Sequence, residues 1–368
     1  MGALMRRLWV FAALFSALLL PVSAVAEPPT AQISVTSAAQ AGPGGARQAD
    51  MAAWWHGYEA GFVRTPDGRR LQVYCMGSGS PVVVFEAGSG GQGSGFRRVQ
   101  PLISETTRTC VYNRAGHGHS DAAKDSRDLT ALANDLSVVV RAVGGGRPVV
   151  LVGHSFGGPI TRYFAYGRPE RVAGMVLIDP AGDNQYRRLF KPIPGYDPLL
   201  KQGAAAKRMC LELLERGPPS PGTDIWKTCV DAGPGAPWPP VDAPDALKNQ
   251  IAQERGAAYY RASLAEDGWW VASPHNAELS ARARRGLGDI PLIVLTAMRT
   301  SAPASLTPAG QAAFTQVWRQ THWEDSQLST HGRRLFVDGA GHGIQFDKPE
   351  AVVDAVNRVV AEARAKRR

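Results

Sequence analysis

The chain has 368 residues, 44% of them hydrophobic and 20% charged, enough for one large α/β domain with an insertion or for two ordinary domains. That composition excludes wholesale disorder, a fibrous repeat and a small disulfide-held scaffold. The formal charge of +9 is modest, and part of it lies in the terminal Arg364, Lys366, Arg367 and Arg368, which read as a solvated tail; no nucleic-acid partner is expected.

Arg6 and Arg7 precede an apolar run from Leu8 to Leu20, a helix-breaking Pro21, and Ala24-Val25-Ala26 ahead of Glu27. This is the pattern of a signal peptide over residues 1–26, cleaved after Ala26. The run is short for a bilayer span and no later segment is apolar enough to follow it. The expectation is an exported protein, periplasmic or secreted, with no stable membrane anchor after cleavage. Because the first cysteine is Cys75, no thiol at the end of the leader can accept a lipid. In an oxidising space the four cysteines, Cys75, Cys110, Cys210 and Cys229, suggest two disulfides, for which three pairings are open.

Residues 27–60, rich in Ala, Ser, Gly, Pro and Gln, read as a linker. From Gly61 the pattern becomes regular. Phe62 to Arg64, the turn Pro66-Asp67-Gly68, and Leu71 to Tyr74 form a hairpin pattern, and Pro81 to Phe85 is a short apolar strand. Further apolar strands are expected at Thr109 to Tyr112, Val149 to Val152, Met175 to Ile178, Leu292 to Leu295 and Leu335 to Val337. Amphipathic helices between them include Leu129 to Val143, Gly158 to Tyr166 and Pro349 to Ala365. This alternation predicts an α/β fold with a mostly parallel sheet covered on both faces. The rhythm breaks over residues 181–288, which lack a strand signal and carry many prolines and aromatics. They read as a helical cap, leaving a core of residues 61–180 and 289–368.

The chemistry begins where the strand Val149 to Val152 runs into Gly153-His154-Ser155-Phe156-Gly157 and then a helix. A serine on a strained strand-to-helix turn needs glycine two residues to either side, because side chains there would collide across the turn. At the helix start the amide of Phe156 faces outward and the helix dipole favours negative charge, as an oxyanion demands.

These residues resemble the α/β-hydrolase-fold serine hydrolases, and the resemblance spans most of residues 60–365. Phe85-Glu86-Ala87-Gly88-Ser89-Gly90-Gly91 stands where that family supplies a second oxyanion amide, here that of Ser89, although the family more often carries His at the position of Ala87. Asn113-Arg114-Ala115-Gly116-His117-Gly118-His119-Ser120 is similar to the family's Asp-Arg-x-Gly-x-Gly-x-Ser loop, with Asn113 in place of Asp. Gly339-Ala340-Gly341-His342-Gly343 follows the last strand and precedes the last helix, the family position of the catalytic base.

A serine hydroxyl needs an imidazole to take its proton, and the imidazole needs a carboxylate to hold its tautomer. Of the eight histidines His342 alone has the family position of the base; His154 is expected to point away from the nucleophile, and His117-x-His119 reads as a hydrogen-bonding loop rather than a metal site. In most of the family the acid follows the strand represented by Leu292 to Leu295, yet residues 296–323 contain no Asp or Glu. The resemblance to lipases that carry the acid one strand earlier points to Asp179, with Asp325 and Asp183 as alternatives.

The family's epoxide hydrolases and dehalogenases use Asp at the elbow, so Ser155 directs the reading to a cofactor-independent carboxylic ester hydrolase acting on a small-molecule ester. Amide, lactone, thioester or carbon–carbon hydrolysis by the same machinery, and a non-catalytic binding protein on the same scaffold, remain open, as does the oligomeric state. Tyr186, Phe190, Trp269 and Trp270 are candidates for an acyl pocket. In this fold the second strand runs antiparallel to the fourth, which implies a Cys75–Cys110 disulfide. Cys210 and Cys229 both fall in the insertion and enclose a short Pro-rich loop, so they are expected to pair with each other.

Overall fold

The computed structural model describes residues 59–366 apart from 91, 125, 184, 218, 221, 232–253, 271–274, 300 and 301. The signal peptide and nearly all of the linker read from the sequence lie outside these residues.

Eight strands form one sheet: β1 (Glu59–Arg64), β2 (Arg70–Met76), β3 (Val83–Glu86), β4 (Thr109–Tyr112), β5 (Val149–His154), β6 (Val172–Ile178), β7 (Leu292–Ala297) and β8 (Gly332–Val337). Their order is β1-β2-β4-β3-β5-β6-β7-β8. The turn between β1 and β2 closes through Thr65 N–H to the Arg69 carbonyl at 2.8 Å, with Gly68 at φ 86°. β2 lies antiparallel to β1 and to β4, and the pairs from β4 to β8 are all parallel. The carboxyl ends of β3, β5, β6, β7 and β8 therefore share one rim, where an open parallel sheet gathers its functional loops.

Side-chain alternation divides the core between the two faces of the sheet. Val149 and Leu151 of β5, with Leu292 and Val294 of β7, pack on one side; Val150, Val152, Ile293 and Leu295 pack on the other. The helices are α1 (Gln100–Ser104), α2 (Leu129–Gly144), α3 (Gly157–Gly167), α4 (Tyr196–Glu215), α5 (Ala257–Trp270), α6 (His275–Ala283), α7 (Pro308–Ser326), α8 (Ile344–Asp347) and α9 (Pro349–Ala365). α2 and α3 cover the first face through residues such as Leu132, Leu136, Ile160 and Phe164, and α9 covers the second through Val352, Val356 and Val359. Local chemistry sets the helix ends. Asp128 caps α2 by accepting from Ala131 N–H at 2.9 Å, and Gly145 ends it at φ 56°.

Between β6 and β7 the described residues contain helices and no strand. α4 and α5 pack together around a small apolar cluster of Cys210, Leu214, Cys229, Val230 and Tyr260. α6, which falls within the insertion by sequence, instead lays Leu279 and Ala283 against the main core beside α2 and α3. Two disulfides join Cys75 to Cys110 and Cys210 to Cys229. Cys75 and Cys110 stand directly opposite each other in the β2–β4 ladder. No described helix is long and apolar enough to cross a membrane.

Candidate functional site

β5 ends in His154, and Ser155 turns the chain into α3 with φ at 50°. Such backbone is costly for a residue with a side chain and persists only where neighbours impose it. Ser155 N–H donates to the Ile178 carbonyl at 3.1 Å, while the Ser155 carbonyl accepts from Gly158 and Ala181, both at 2.9 Å. The glycines allow this closeness. A Cβ on Gly153 would stand 2.6 Å from the Gly157 carbonyl oxygen, and one on Gly157 would overlap the Glu86 carbonyl.

Asp179 leaves the neighbouring strand in the same manner, at φ 40°, and these two are the only described non-glycine residues at positive φ. Its buried carboxylate accepts from His342 Nδ1 at 2.8 Å, from Trp318 Nε1 at 3.1 Å and from the Ala297 amide at 3.0 Å. Burial by itself would raise the Asp179 carboxyl, but the His342 hydrogen bond, the electrostatic pull of the His322 and His342 rings and the Ala297 amide outweigh it and hold the group down to about 2. A carboxylate only accepts, so Nδ1 of His342 carries a proton. The Ala297 amide sits at the end of β7, where the family more often carries its acid, so a backbone donor now meets a carboxylate arriving from β6. Asp183 and Asp325, the alternative acids, both hold Arg162 instead, at 2.9 and 2.7 Å.

His154 packs against the candidate base. Its ring lies against His342, centroids 4.9 Å apart, and its Nε2 donates to the His342 carbonyl at 3.0 Å. Burial and the nearby His342 push His154 down to about 3, so it is a neutral donor that braces the loop carrying His342. Trp318 and His322 were also missed. His322 Nε2 donates to the Pro180 carbonyl at 2.9 Å and its Nδ1 accepts from Thr296 Oγ at 2.9 Å, steadying the turn that bears Asp179. The signal available was the apolar-to-polar spacing of α7, a helix flanked by Thr307 as cap and Pro308, but nothing in that spacing distinguishes an indole aimed at a carboxylate.

The loop after β3 approaches the elbow closely: a Cβ on Gly88 would lie 3.2 Å from Ser155 Cβ. Ser89 is exposed and its hydroxyl donates to Asp267 of α5 at 3.0 Å. Phe156 precedes the first turn of α3, its buried ring 5.7 Å from the Arg114 guanidinium. Asn113, the departure from the family loop, both accepts from Gly93 N–H and donates to Gln72 Oε1, each at 2.9 Å. Aspartate could make only the first of these bonds. His117 donates from Nε2 to Glu266 at 3.2 Å, and no described group of three or more His, Cys, Asp or Glu side chains could hold a metal.

Of the acyl-pocket candidates, Phe190 is buried and stacks on Tyr196 at 4.7 Å, in a cluster with Phe314 and Trp318, and Tyr186 packs at its margin. Trp269 and Trp270 end α5, and their side chains lie outside the described residues.

Residues 81–208 match the family described as the alpha/beta hydrolase fold. A protein of Hormonema carpetanum whose name describes a transporter is 26% identical over 302 residues, 78% of this chain and 40% of its own length. An AB hydrolase superfamily protein of Gibberella zeae is 23% identical over 294 residues, 76% of this chain and 86% of its own. The solved structure of epoxide hydrolase CorEH aligns with a TM-score of 0.57 at 17% identity, over 83% of this chain and 98% of that one. The chain spans about two fifths of the length of the first curated relatives it matches. The sheet order and the matched segment define the class: the chain has the α/β-hydrolase fold.

Proposed function

We propose that the protein is an exported carboxylic ester hydrolase in which Ser155 is the nucleophile, His342 the base and Asp179 the acid. The observation that carries this reading is the 2.8 Å pairing of His342 Nδ1 with the buried Asp179, on the same rim as a serine held at φ 50°. In the reaction His342 Nε2 takes the Ser155 hydroxyl proton as Oγ attacks the ester carbonyl. The resulting oxyanion accepts from the amides of Ser89 and Phe156. Collapse expels the alcohol, which receives the proton from His342. Water then attacks the acyl-enzyme by the same path in reverse, with His342 again as base, and releases the acid and free Ser155. Asp179 keeps Nδ1 protonated and stabilises the imidazolium formed in both steps.

Export is supported by the leader pattern of residues 1–26 and by two disulfides, which persist in oxidising compartments. The substrate is a small-molecule ester bound beneath the helical insertion, which forms the cap, and no cofactor takes part. A fluorophosphonate probe tests the core of the proposal. Wild-type protein labels at Ser155 and hydrolyses members of a p-nitrophenyl ester panel, while Ser155→Ala and His342→Ala stay folded and lose nearly all turnover. Variants with near-normal rates would remove the assignment, and faster turnover of amide or lactone members of a parallel panel would move it within the class.

A further inference from the structure

The guanidinium of Arg114 is fully buried, and each of its five N–H groups is engaged. Nε and Nη2 form a fork onto Glu266 at 2.7 and 2.8 Å; Nη1 reaches Glu86 at 2.8 Å and the Ala87 carbonyl at 2.7 Å; Nη2 also reaches the Gly88 carbonyl at 2.6 Å. The last two bonds grip the loop after β3. In a trans peptide the N–H points opposite to the C=O. Pinning the Gly88 carbonyl to Arg114 therefore aims the Ser89 amide away from Arg114, and Gly88 is the residue whose added Cβ would touch Ser155.

Of the two carboxylates that orient Arg114, Glu86 belongs to β3 of the core. Glu266 belongs to α5 of the insertion, and it also accepts from His117 Nε2 at 3.2 Å and from the Gly90 amide at 3.4 Å. Next to it, Asp267 accepts from Ser89 Oγ at 3.0 Å and from Lys207 of α4 at 2.6 Å. Adjacent helix residues project about 100° apart. One carboxylate thus goes under the loop into the core while the other runs along its rim. The close seating of α5 also depends on Gly116, where a Cβ would lie 2.6 Å from Ala262 Cβ.

We propose that Glu266 is a positioning residue for the oxyanion loop, acting through Arg114, with Asp267 steadying the same loop through Ser89. The insertion then supplies part of the catalytic geometry as well as a cover for substrate. Without Glu266 the guanidinium keeps one carboxylate and loses the fork that fixes its plane, so the Gly88–Ser89 peptide is no longer held in one orientation. This inference rests on the reading that the Ser89 amide stabilises the oxyanion.

The test uses the full-length chain with both disulfides intact, p-nitrophenyl butyrate as substrate, phenylboronic acid as a mimic of the tetrahedral state, and fluorophosphonate titration to count active sites. Glu266→Gln is expected to lower kcat per titrated site about 10- to 100-fold with KM within about twofold, since an error near 1 Å in a catalytic group costs on that order. Phenylboronic acid inhibition weakens by a similar factor. A merely structural role would instead lower the thermal midpoint and the titrated fraction while leaving kcat per site unchanged, and that result overturns the proposal. If Glu266→Gln does not fold, Asp267→Ala and Ser89→Ala decide: each is expected to lose about three- to tenfold in kcat, with the double variant no worse than the poorer single, because both cut the same hydrogen bond. Wild-type kcat in both singles overturns the role of the rim contact and the proposal with it. A wild-type chain that neither labels nor turns over any ester shows a different failure, that of the hydrolase mechanism itself, before any α5 variant is measured, and it removes this inference too.

Discussion

His342 Nδ1 and Asp179 Oδ2 lie 2.8 Å apart although 163 residues separate them in sequence. The contact joins the loop after the last strand to the turn after β6, and it leaves the half-exposed His342 ring with its outer nitrogen free of the carboxylate. Asp179→Asn would offer an amide in place of an acceptor-only group and favour the wrong imidazole tautomer. Turnover is expected to fall by up to about four orders of magnitude with the fold intact. Asp325→Asn is expected to change turnover little, because Asp325 faces Arg162. Steady-state rates of the two single variants check the assignment, and full activity in Asp179→Asn with loss in Asp325→Asn would reverse it.

Trp318 reaches the same carboxylate from another side, with Nε1 3.1 Å from Asp179 Oδ2 and its ring edge-on to His342 at 5.7 Å. Phe314 stacks on its outer face at 5.3 Å. Trp318→Phe keeps most of the packing and removes one donor to a buried anion. A charge-assisted bond of this kind is worth about 1.5 kcal/mol or more, so a kcat loss of about tenfold is expected, with the Asp179 pKa moving upward from its depressed position. Unchanged kcat in Trp318→Phe would show that His342 and Ala297 alone hold the acid.

A pH effect is expected away from the site. Burial raises the Asp325 carboxyl to about 7, against the pull of Arg162 at 2.7 Å, and Asp183 on the same guanidinium adds repulsion. Burial also acts to raise Asp183, but Arg162 outweighs it and holds that group below its usual range. Arg162 is thus shared between one ionised acid and one that protonates readily. A carboxyl whose folded pKa is raised binds protons more readily in the folded state, so its stabilising contribution is complete below the ordinary range of about 4. That contribution is lost as pH rises through about 7. Relative to Asp325→Asn, wild-type stability should therefore fall across this window and run parallel outside it. Denaturant melts at several pH values check this, and parallel curves throughout would reject the raised carboxyl.

The strands and the tight turn at Ser155 were legible because each is written locally. A fully buried strand of a parallel sheet is a short apolar run, and β4 at Thr109–Tyr112 matches the expected segment residue for residue. The elbow was legible because steric exclusion forces glycine at both 153 and 157. Asp179 could be proposed because a substitution left a gap, the acid-free stretch after β7, that some nearby carboxylate had to fill. Long-range side-chain contacts that no family pattern names were not legible. Nothing near His154 reveals that its ring supports residue 342, and the pairing of Arg114 with Glu266 spans 152 residues between a core loop and a helix whose own pattern is only weakly amphipathic. The packing of α6 was not legible for a related reason: it follows the insertion's other helices in sequence but lays the partly buried Leu279 against the core.

The Asn113 departure from the family loop leads to the last prediction. Asn113 is buried and uses both ends of its amide, accepting from Gly93 N–H through Oδ1 and donating from Nδ2 to Gln72 Oε1. Gln72 Oε1 in turn accepts from His119 N–H at 3.0 Å, so this small network links β2, the loop after β4 and the start of the segment following Gly93. Asn113→Asp, which restores the commoner family residue, would turn the donor into a second oxygen facing the Gln72 oxygen in a buried place. The new carboxylate must stay charged opposite the Gln72 oxygen or protonate to recover the lost bond. Either course costs stability, by about 2 kcal/mol for a disrupted buried bond and more if charge is retained. The loss should be smaller at low pH, where the variant's protonated carboxyl donates as the amide did. Thermal or denaturant midpoints of Asn113→Asp at acid and neutral pH check this, and wild-type stability at neutral pH would show that the amide's donor is dispensable.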